Sequence, residues 1–480
     1  MNPMPTTSAV IGEGMYGCIH KPSLTCKENK IKNYKNKVSK ILEKKYADIE
    51  LQEYAAIENV DKSHMYYLGK PEECSLDRIP SNLSSIEKCK MGKELLKHLD
   101  ELSLLIMDDG GIDLKVCSNI MSTWNASLDN VKAAEYFMLD FHNIFCGIDA
   151  FLKQNILHFD MKPQNIVYNA AKRKMNIIDF GLSVSLKEKL EDIEHDKNTM
   201  ARYHWSYPFE FYFLNKTTYK EFAEMTNPNK YNYYKGIIRE LLNDDMSTMT
   251  NSMKTFFSFV LDKDIYTQEF KDYMSGVYQT LMLELTMKNY KPFIAKSIRS
   301  VDVYGLGITL LYILKNAKHL LNENLHKELL ELGYNMIHPQ LSKRISTNTA
   351  LVNYETILTK NGLMDKYGLF FANHKIMKGE LIPPKIEESI DSVQMKNVIL
   401  DDTKLEKNTV SVHVVEKSLS LLSPKSISAK KMKKKQKKRK LVSRKKQKKR
   451  KPFSRKKQKK RKPVSRKNEN KVQNIIESYS

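Results

Sequence analysis

Hydrophobic and polar positions change rhythm several times along this 480-residue chain. AVIGEGMYGCIHKP (9–22) reads as two short strands around a glycine turn, and NKVSKIL (36–42) as a third strand. KKYADIELQEYAAIENV (44–60) has helical spacing at Ile49, Glu53, Ala56, Ile57 and Val60. LSLLIM (102–107) is a buried strand that stops at DDGG. VKAAEYFMLDFHNIFCGIDAFLKQN (131–155) sets Phe137, Phe141, Ile144, Ile148 and Phe151 on one helical face. NIVYNAAKRKMNIIDFG (165–181) predicts a hairpin, and 302–315 a helix apolar nearly all round, hence central. Strands first and helices afterwards predict an α+β chain. A small β-rich lobe would occupy residues 1–108 and a larger helical lobe residues 109–365.

Charge changes this picture at one end only. The chain carries a net +24, yet residues 425–467 hold 26 Lys or Arg and no Asp or Glu, so the remainder nets about −2. Within that stretch KKQKKRKLVSR, KKQKKRKPFSR and KKQKKRKPVSR recur every 11 residues. Such like-charge density cannot bury a core, so 421–480 reads as a disordered polybasic tail and 366–420 as a linker. The opening MNPMPTTSAV is polar and small, unlike a signal peptide, and the longest apolar run (303–314) is too short to span a bilayer. No membrane partner is expected. Six scattered cysteines, at 18, 26, 74, 89, 117 and 146, read as reduced thiols of an intracellular protein.

The candidate chemistry is concentrated in a few short runs. Gly12, Gly14 and Gly17 have the GxGxxG spacing, which lets a backbone approach phosphates closely; alone this is weak. No GK[ST] follows, so it is not a Walker loop. Lys40 on the next strand needs a carboxylate on the next helix to hold its ammonium over phosphate oxygens. Glu53 is the first candidate, through its apolar neighbours Ile57 and Val60, and Glu50 is the reserve. LHFDMKPQNIVYN (157–169) then places Asp160, Lys162 and Asn165 close together, and Asp179 follows across the hairpin. Asp160 suits a proton acceptor for an attacking hydroxyl, and Asn165 and Asp179 suit a hard cation such as Mg²⁺. Lys162 suits neutralisation of a transferred phosphoryl group.

Taken jointly, the glycine-rich turn, strand lysine, helix glutamate, HFDMKPQN and DFG resemble the eukaryotic-type protein kinase domain over residues 9–360. YHWSYPFE (203–210) resembles the family's A-P-E region, with Pro208, Phe209 and Glu210 filling it. Asp302 in DVYGLGITLL resembles the residue that braces the catalytic loop, and Arg344 in LSKRIS the buried partner of Glu210. Stretches such as GMYGCIHKPSLTC and LLIMDDGGIDL are similar to kinases of large cytoplasmic DNA viruses of the iridovirus type. The resemblance implies a bilobal fold, ATP with Mg²⁺ or Mn²⁺, and phosphoryl transfer to a protein substrate, with Lys162-Pro163 favouring serine and threonine. It implies nucleotide contacts from Ile11, Ile19, Met107 and Asp108 as well as the glycines, Lys40 and Glu53. It also implies a host cytoplasm or nucleus as the place of action, or carriage in a virion. His158 is expected to pack against Phe180 rather than to act as a base.

Several positions depart from the family pattern. Phe159 stands where an arginine usually meets a phosphorylated activation loop, which implies activity independent of phosphorylation at Thr199 or Ser206. Ser39 is read in place of an alanine packing on adenine, and Phe209 replaces a proline. An insertion of about 212–296 separates Glu210 from Asp302; it is either a substrate- or partner-binding module or a surface elaboration with its own small core. The tail is expected to bind polyanions such as nucleic acid, or to serve as a nuclear address. Ser443, Ser454 and Ser465 each follow a basic run and are candidate autophosphorylation sites. Two other classes remain open: a pseudokinase scaffold, and a nucleic-acid-binding virion protein.

Overall fold

Residues Ala9–Glu13 (β1) and Gly17–Lys21 (β2) form the antiparallel hairpin that the glycine turn predicts, and β2 pairs in turn with Lys37–Glu43 (β3). The computed structural model describes residues 8–14, 17–28, 30–195, 204–243, 248–261 and 268–378. Helix α1 (Lys44–Val60) leaves β3 with no intervening loop. Then come β4 (Glu72–Cys74), α2 (Pro80–Glu87), α3 (Gly92–Leu95) and β5 (Leu102–Asp108). The result is one five-stranded antiparallel sheet in the order β1-β2-β3-β5-β4. Gly17 is required in this sheet, because a Cβ there would lie 2.1 Å from the Ile41 carbonyl oxygen.

The rest of the fold is mainly helical. The segment β6 (Ile112–Asp113) leads into α4 (Leu114–Met121), whose first turn Asp113 caps by accepting from Val116 N. Helix α5 (Leu128–Lys153) buries Phe137, Phe141, Ile144, Ile148 and Phe151, as the spacing predicts. Strands β7 (Ile156–Leu157), β8 (Ile166–Asn169) and β9 (Lys174–Ile177) follow, then β10 (Val184–Ser185) and α6 (Leu186–Glu194). The insertion supplies α7 (Lys216–Ala223), α8 (Asn227–Asn243), α9 (Thr248–Val260), α10 (Gln268–Gln279) and α11 (Tyr290–Arg299). Helices α12 (Val301–Ala317), α13 (Glu323–Met336), α14 (Thr347–Lys360) and α15 (Leu363–Lys366) precede a last hairpin, β11 (Leu369–Ala372) and β12 (Lys375–Lys378). The fold is α+β with a small antiparallel sheet at its N-terminal end.

Helix α12 is the hub. It is buried almost all round and shares one apolar core with α5, α13 and α14. Its Gly305 lets the helix backbone approach the 158–165 loop, because a Cβ there would stand 2.2 Å from the Met161 carbonyl oxygen. No single helix among the described residues is long and apolar enough to cross a membrane.

Three expectations change. The insertion is not a separate core: Tyr273 and Tyr304 share a hydroxyl hydrogen bond of 2.7 Å, and Phe256 stacks on Tyr304. Lys315 on α12 also reaches the carbonyl oxygens of Ser258 (3.1 Å) and Leu261 (2.7 Å). The expected linker does not start at 366. Residues 367–378 dock on α5 through Tyr367 against Tyr136 and Phe371 against His142, and on α14 through His374 Nδ1, 3.0 Å from Glu355 Oε2. Each strand is only four residues long and LFFA does not alternate, so the pattern gives little strand signal. Finally, four cysteines are paired, Cys18 with Cys89 and Cys26 with Cys74, whereas Cys117 and Cys146 are buried thiols. The remainder of the linker and the polybasic tail lie outside the described residues.

Candidate functional site

Two sets of polar side chains meet beside the N-terminal sheet. The first comes from β3, α1 and the turn after β9. Lys40 Nζ donates to Glu50 Oε2 at 2.7 Å and lies 3.9 Å from Asp179 Oδ1. Glu50, and not Glu53, is therefore the helix partner of Lys40. The reason is the buried stripe of α1, which runs through Ala47, Glu50, Tyr54 and Ile57; Ile49 is exposed and Ala56 lies off it. Glu53 stands close by, half-buried, with Oε2 sealed from solvent and without a hydrogen-bond partner. Burial pushes its carboxyl up to about 7, the negative charges of Glu50 and Asp179 push the same way, and Lys40 opposes them.

The second set is the 158–165 loop. Asp302 accepts from His158 N through Oδ2 and from Phe159 N through Oδ1, both at 2.8 Å, and so fixes the loop to α12. His158 Nε2 donates to the Ile178 carbonyl oxygen (3.0 Å), while its ring packs edge-on against Phe180 at 5.0 Å. That ring is buried and serves as a brace, as expected. Phe180 also contacts Tyr54 of α1 and Tyr67 of the α1–β4 segment, so one aromatic stack joins helix, loop and sheet.

Asp160 is the centre of this loop. Its Oδ2 accepts from Lys162 Nζ (2.6 Å) and from Asn165 Nδ2 (2.8 Å), and the same amide also reaches the Asp160 carbonyl oxygen (2.8 Å). With its nitrogen committed, Asn165 has its carbonyl oxygen to offer a cation, and the Asp179 side chain is half exposed. These oxygen donors suit a hard divalent ion. Two site residues have left-handed backbone: Phe159 has φ +64° and Asp179 φ +62°. Left-handed conformations in non-glycine residues persist where surrounding contacts enforce them, commonly at functional sites.

The remaining expected positions fall around these two sets. In the hairpin, Gly14 N donates to the Gly17 carbonyl oxygen (2.9 Å), Ile11 is exposed, and a Cβ on Gly12 would stand 3.3 Å from Ile19 Cδ1. Met107 and Asp108 end β5, where Asp108 pairs with Lys37 at 2.9 Å. Ser39 does not share Lys40's face: side chains alternate along a strand, and its buried hydroxyl accepts from Leu24 N at 2.9 Å. Val38 is the residue two before Lys40 that shares it.

The activation-segment expectations divide. Phe159 is buried against Tyr207 and Phe211, with the Lys189 ammonium 4.8 Å from its ring centre. Thr199 lies outside the described residues. Ser206 is buried, with Oγ 2.6 Å from His204 Nδ1. Burial and the Lys162 charge lower the His204 pKa, so this ring near Asp160 favours its neutral form. Farther out, Arg344 grips Glu210 with two hydrogen bonds (2.5 and 3.0 Å) and also donates to Ser300 Oγ (3.0 Å) and the His338 carbonyl oxygen (3.0 Å). The pair expected between Glu210 and Arg344 is thus present and fully buried. Phe209 is buried as well, against Tyr212 and Phe213.

Trp205 stacks on Phe259 of α9 at 4.2 Å, which joins the insertion to the segment after α6. Sequence spacing carries no sign of this contact. A separate cavity of about 370 Å³ lies between α10 and residues 338–343 and contains none of the site residues. No protein-family model matches this chain, and no characterised protein matches it.

Proposed function

We propose that the chain is an ATP- and Mg²⁺-dependent Ser/Thr protein kinase of bilobal fold, with a basic tail that binds polyanions. The observation that carries this reading is the convergence of Lys40, Glu50 and Asp179 from a strand, a helix and a post-strand turn, next to an Asp160 that Asn165 and Lys162 hold. Structural ion pairs have no need of a half-exposed third carboxylate, whereas a cation that bridges the protein to phosphate oxygens does.

In this reading Lys40, fixed by Glu50, steadies the nucleotide phosphates under the glycine-rich hairpin. Asp160 accepts the hydrogen bond of the substrate hydroxyl, orients its oxygen, and takes the proton as the phosphoryl group moves. Lys162 neutralises charge that develops on the transferred group. Mg²⁺, held by Asn165 and Asp179, would supply charge neutralisation between the phosphates. Ile11 and Ile19 flank the nucleotide base, and Met107 and Asp108 border it. Phe159 and its aromatic neighbours occupy the place of a phosphate-seeking arginine, which supports activity without phosphorylation of Thr199 or Ser206.

The test is transfer of labelled phosphate from ATP with Mg²⁺ to a basic and to an acidic protein, followed by identification of the modified residue. Phosphoserine or phosphothreonine supports the reading. No transfer from folded, ATP-binding protein would move it to a scaffold role. Residues 425–467 carry the polyanion reading, which predicts binding that weakens steeply with salt and vanishes on their deletion. Binding that survives deletion favours a nucleic-acid-binding virion protein instead. Phosphate on Ser443, Ser454 or Ser465 after incubation with ATP would show that the enzyme modifies its own tail.

A further inference from the structure

The glycine-rich hairpin is fastened to one turn of the chain at both of its strands. On β1, Glu13 accepts from Lys90 twice, from the backbone N–H (2.8 Å) and from the ammonium (2.7 Å). On β2, Cys18 is bonded to Cys89, the residue before Lys90. The turn itself is braced: Cys89 N donates to the Ile86 carbonyl oxygen (3.0 Å), Gly92 N donates to the Cys89 carbonyl oxygen (2.8 Å), and a Cβ on Gly92 would strike Ile86 O. The second bridge is different. Backbone hydrogen bonds already join its two segments, from Lys27 N to Ser75 O (2.9 Å) and from Asp77 N to Thr25 O (3.0 Å). Reduction there leaves two backbone hydrogen bonds between the segments, whereas reduction of Cys18–Cys89 removes the covalent tie on β2 beside Gly17 and leaves side-chain contacts, from His20 Nε2 to Ser85 O (3.3 Å) and from Lys90 to Glu13.

We propose that Cys18–Cys89 is a redox-set latch on the glycine-rich hairpin, closed by oxidation and released by a dithiol. Release breaks the S–S bond: each sulfur takes one electron and one proton, and the dithiol that supplies both pairs leaves as a disulfide. Closure reverses this, with a disulfide such as oxidised glutathione accepting the two electrons. Both sulfurs are buried, so exchange needs the hairpin to open first. The latch stands on the hairpin geometry alone; only its effect on ATP rests on the kinase reading.

The experiment compares full-length protein incubated with oxidised glutathione and with dithiothreitol, alongside Cys18→Ser/Cys89→Ser and Cys26→Ser/Cys74→Ser. Peptide mapping without reductant should find 18 joined to 89 in the oxidised sample. Amide exchange over 9–21 should speed up about tenfold on reduction, because a local opening becomes cheaper. The first double variant should exchange fast under both conditions, and the second should still respond. The KM for ATP should shift with redox state more than kcat does. Unchanged exchange on reduction, a bond that never forms, or a response that survives in Cys18→Ser/Cys89→Ser would overturn the proposal. If that variant fails to fold, reduced and alkylated wild type replaces it. Absence of phosphate transfer in every form would count against the kinase reading and leave the exchange data to decide the latch.

Discussion

Two lysine- or arginine-to-glutamate pairs in this protein look alike in sequence and differ in surroundings. Arg344 and Glu210 are both 0% exposed, with further hydrogen bonds from the guanidinium to Ser300 and His338. Lys40 and Glu50 keep 17% and 9% side-chain exposure and share their space with a half-exposed Asp179 and an unpartnered oxygen of Glu53. The first pair is complete in itself. The second has charge in excess of what the protein satisfies, which is what a site needs if a ligand is to complete it. A buried pair is therefore a hold on the fold, and an incomplete one is a reason to look for chemistry.

Breaking the complete pair should cost most. Glu210→Gln leaves an arginine buried without its counter-charge, and the expected loss is about 3–5 kcal/mol of unfolding free energy by denaturant titration. A loss under about 1 kcal/mol would mean the pair is no hold at all. Asp302→Ala comes next. It strands the buried N–H groups of His158 and Phe159, at roughly 1–3 kcal/mol, and should loosen the loop enough to depress phosphate transfer. Lys40→Met strands the buried Glu50 carboxylate, at roughly 1–3 kcal/mol, while transfer collapses. Glu50→Gln should reduce transfer more than Glu53→Gln does, because only Glu50 touches Lys40.

The smallest effect is a pH slope. Glu53 binds its proton more tightly in the fold, near 7, than at its ordinary 4.5, so between those values the folded state holds more protons than the unfolded one. Stability from this group is present at low pH and is lost as pH rises from about 4.5 through about 7. The slope should be shallow, since solvent still screens a half-buried carboxyl. Glu53→Gln should flatten it, and an unaltered melting profile from pH 5 to 8 would contradict the assignment.

Much of the fold was legible because its periodicities are long or clean. Helix α5 shows a single aromatic stripe, and α12 is apolar all round, so their position in the core follows from pattern alone. The loop around Asp160 was legible for a different reason: four chemically distinct residues fall within eight positions, and the turn geometry is local. What failed was choosing between adjacent faces. In α1, Ile49, Ala56 and Val60 outline one plausible stripe, but Tyr54 makes the better anchor against Phe180 and rotates Glu50 inward. Ser39 failed likewise, since strand alternation assigns it to Leu24 and not to Lys40's side. Contacts between distant segments leave no local trace. The Cys18–Cys89 and Cys26–Cys74 pairs, the docking of 367–378 and the Trp205–Phe259 stack all belong to that group.

The most direct test of the central claim is phosphate transfer from labelled ATP with Mg²⁺ by wild type and Asp160→Ala, at matched melting behaviour and ATP binding. The account predicts transfer by the wild type to a protein hydroxyl and none above background by the variant. Equal transfer by both, or none by a wild type that binds ATP, would contradict it.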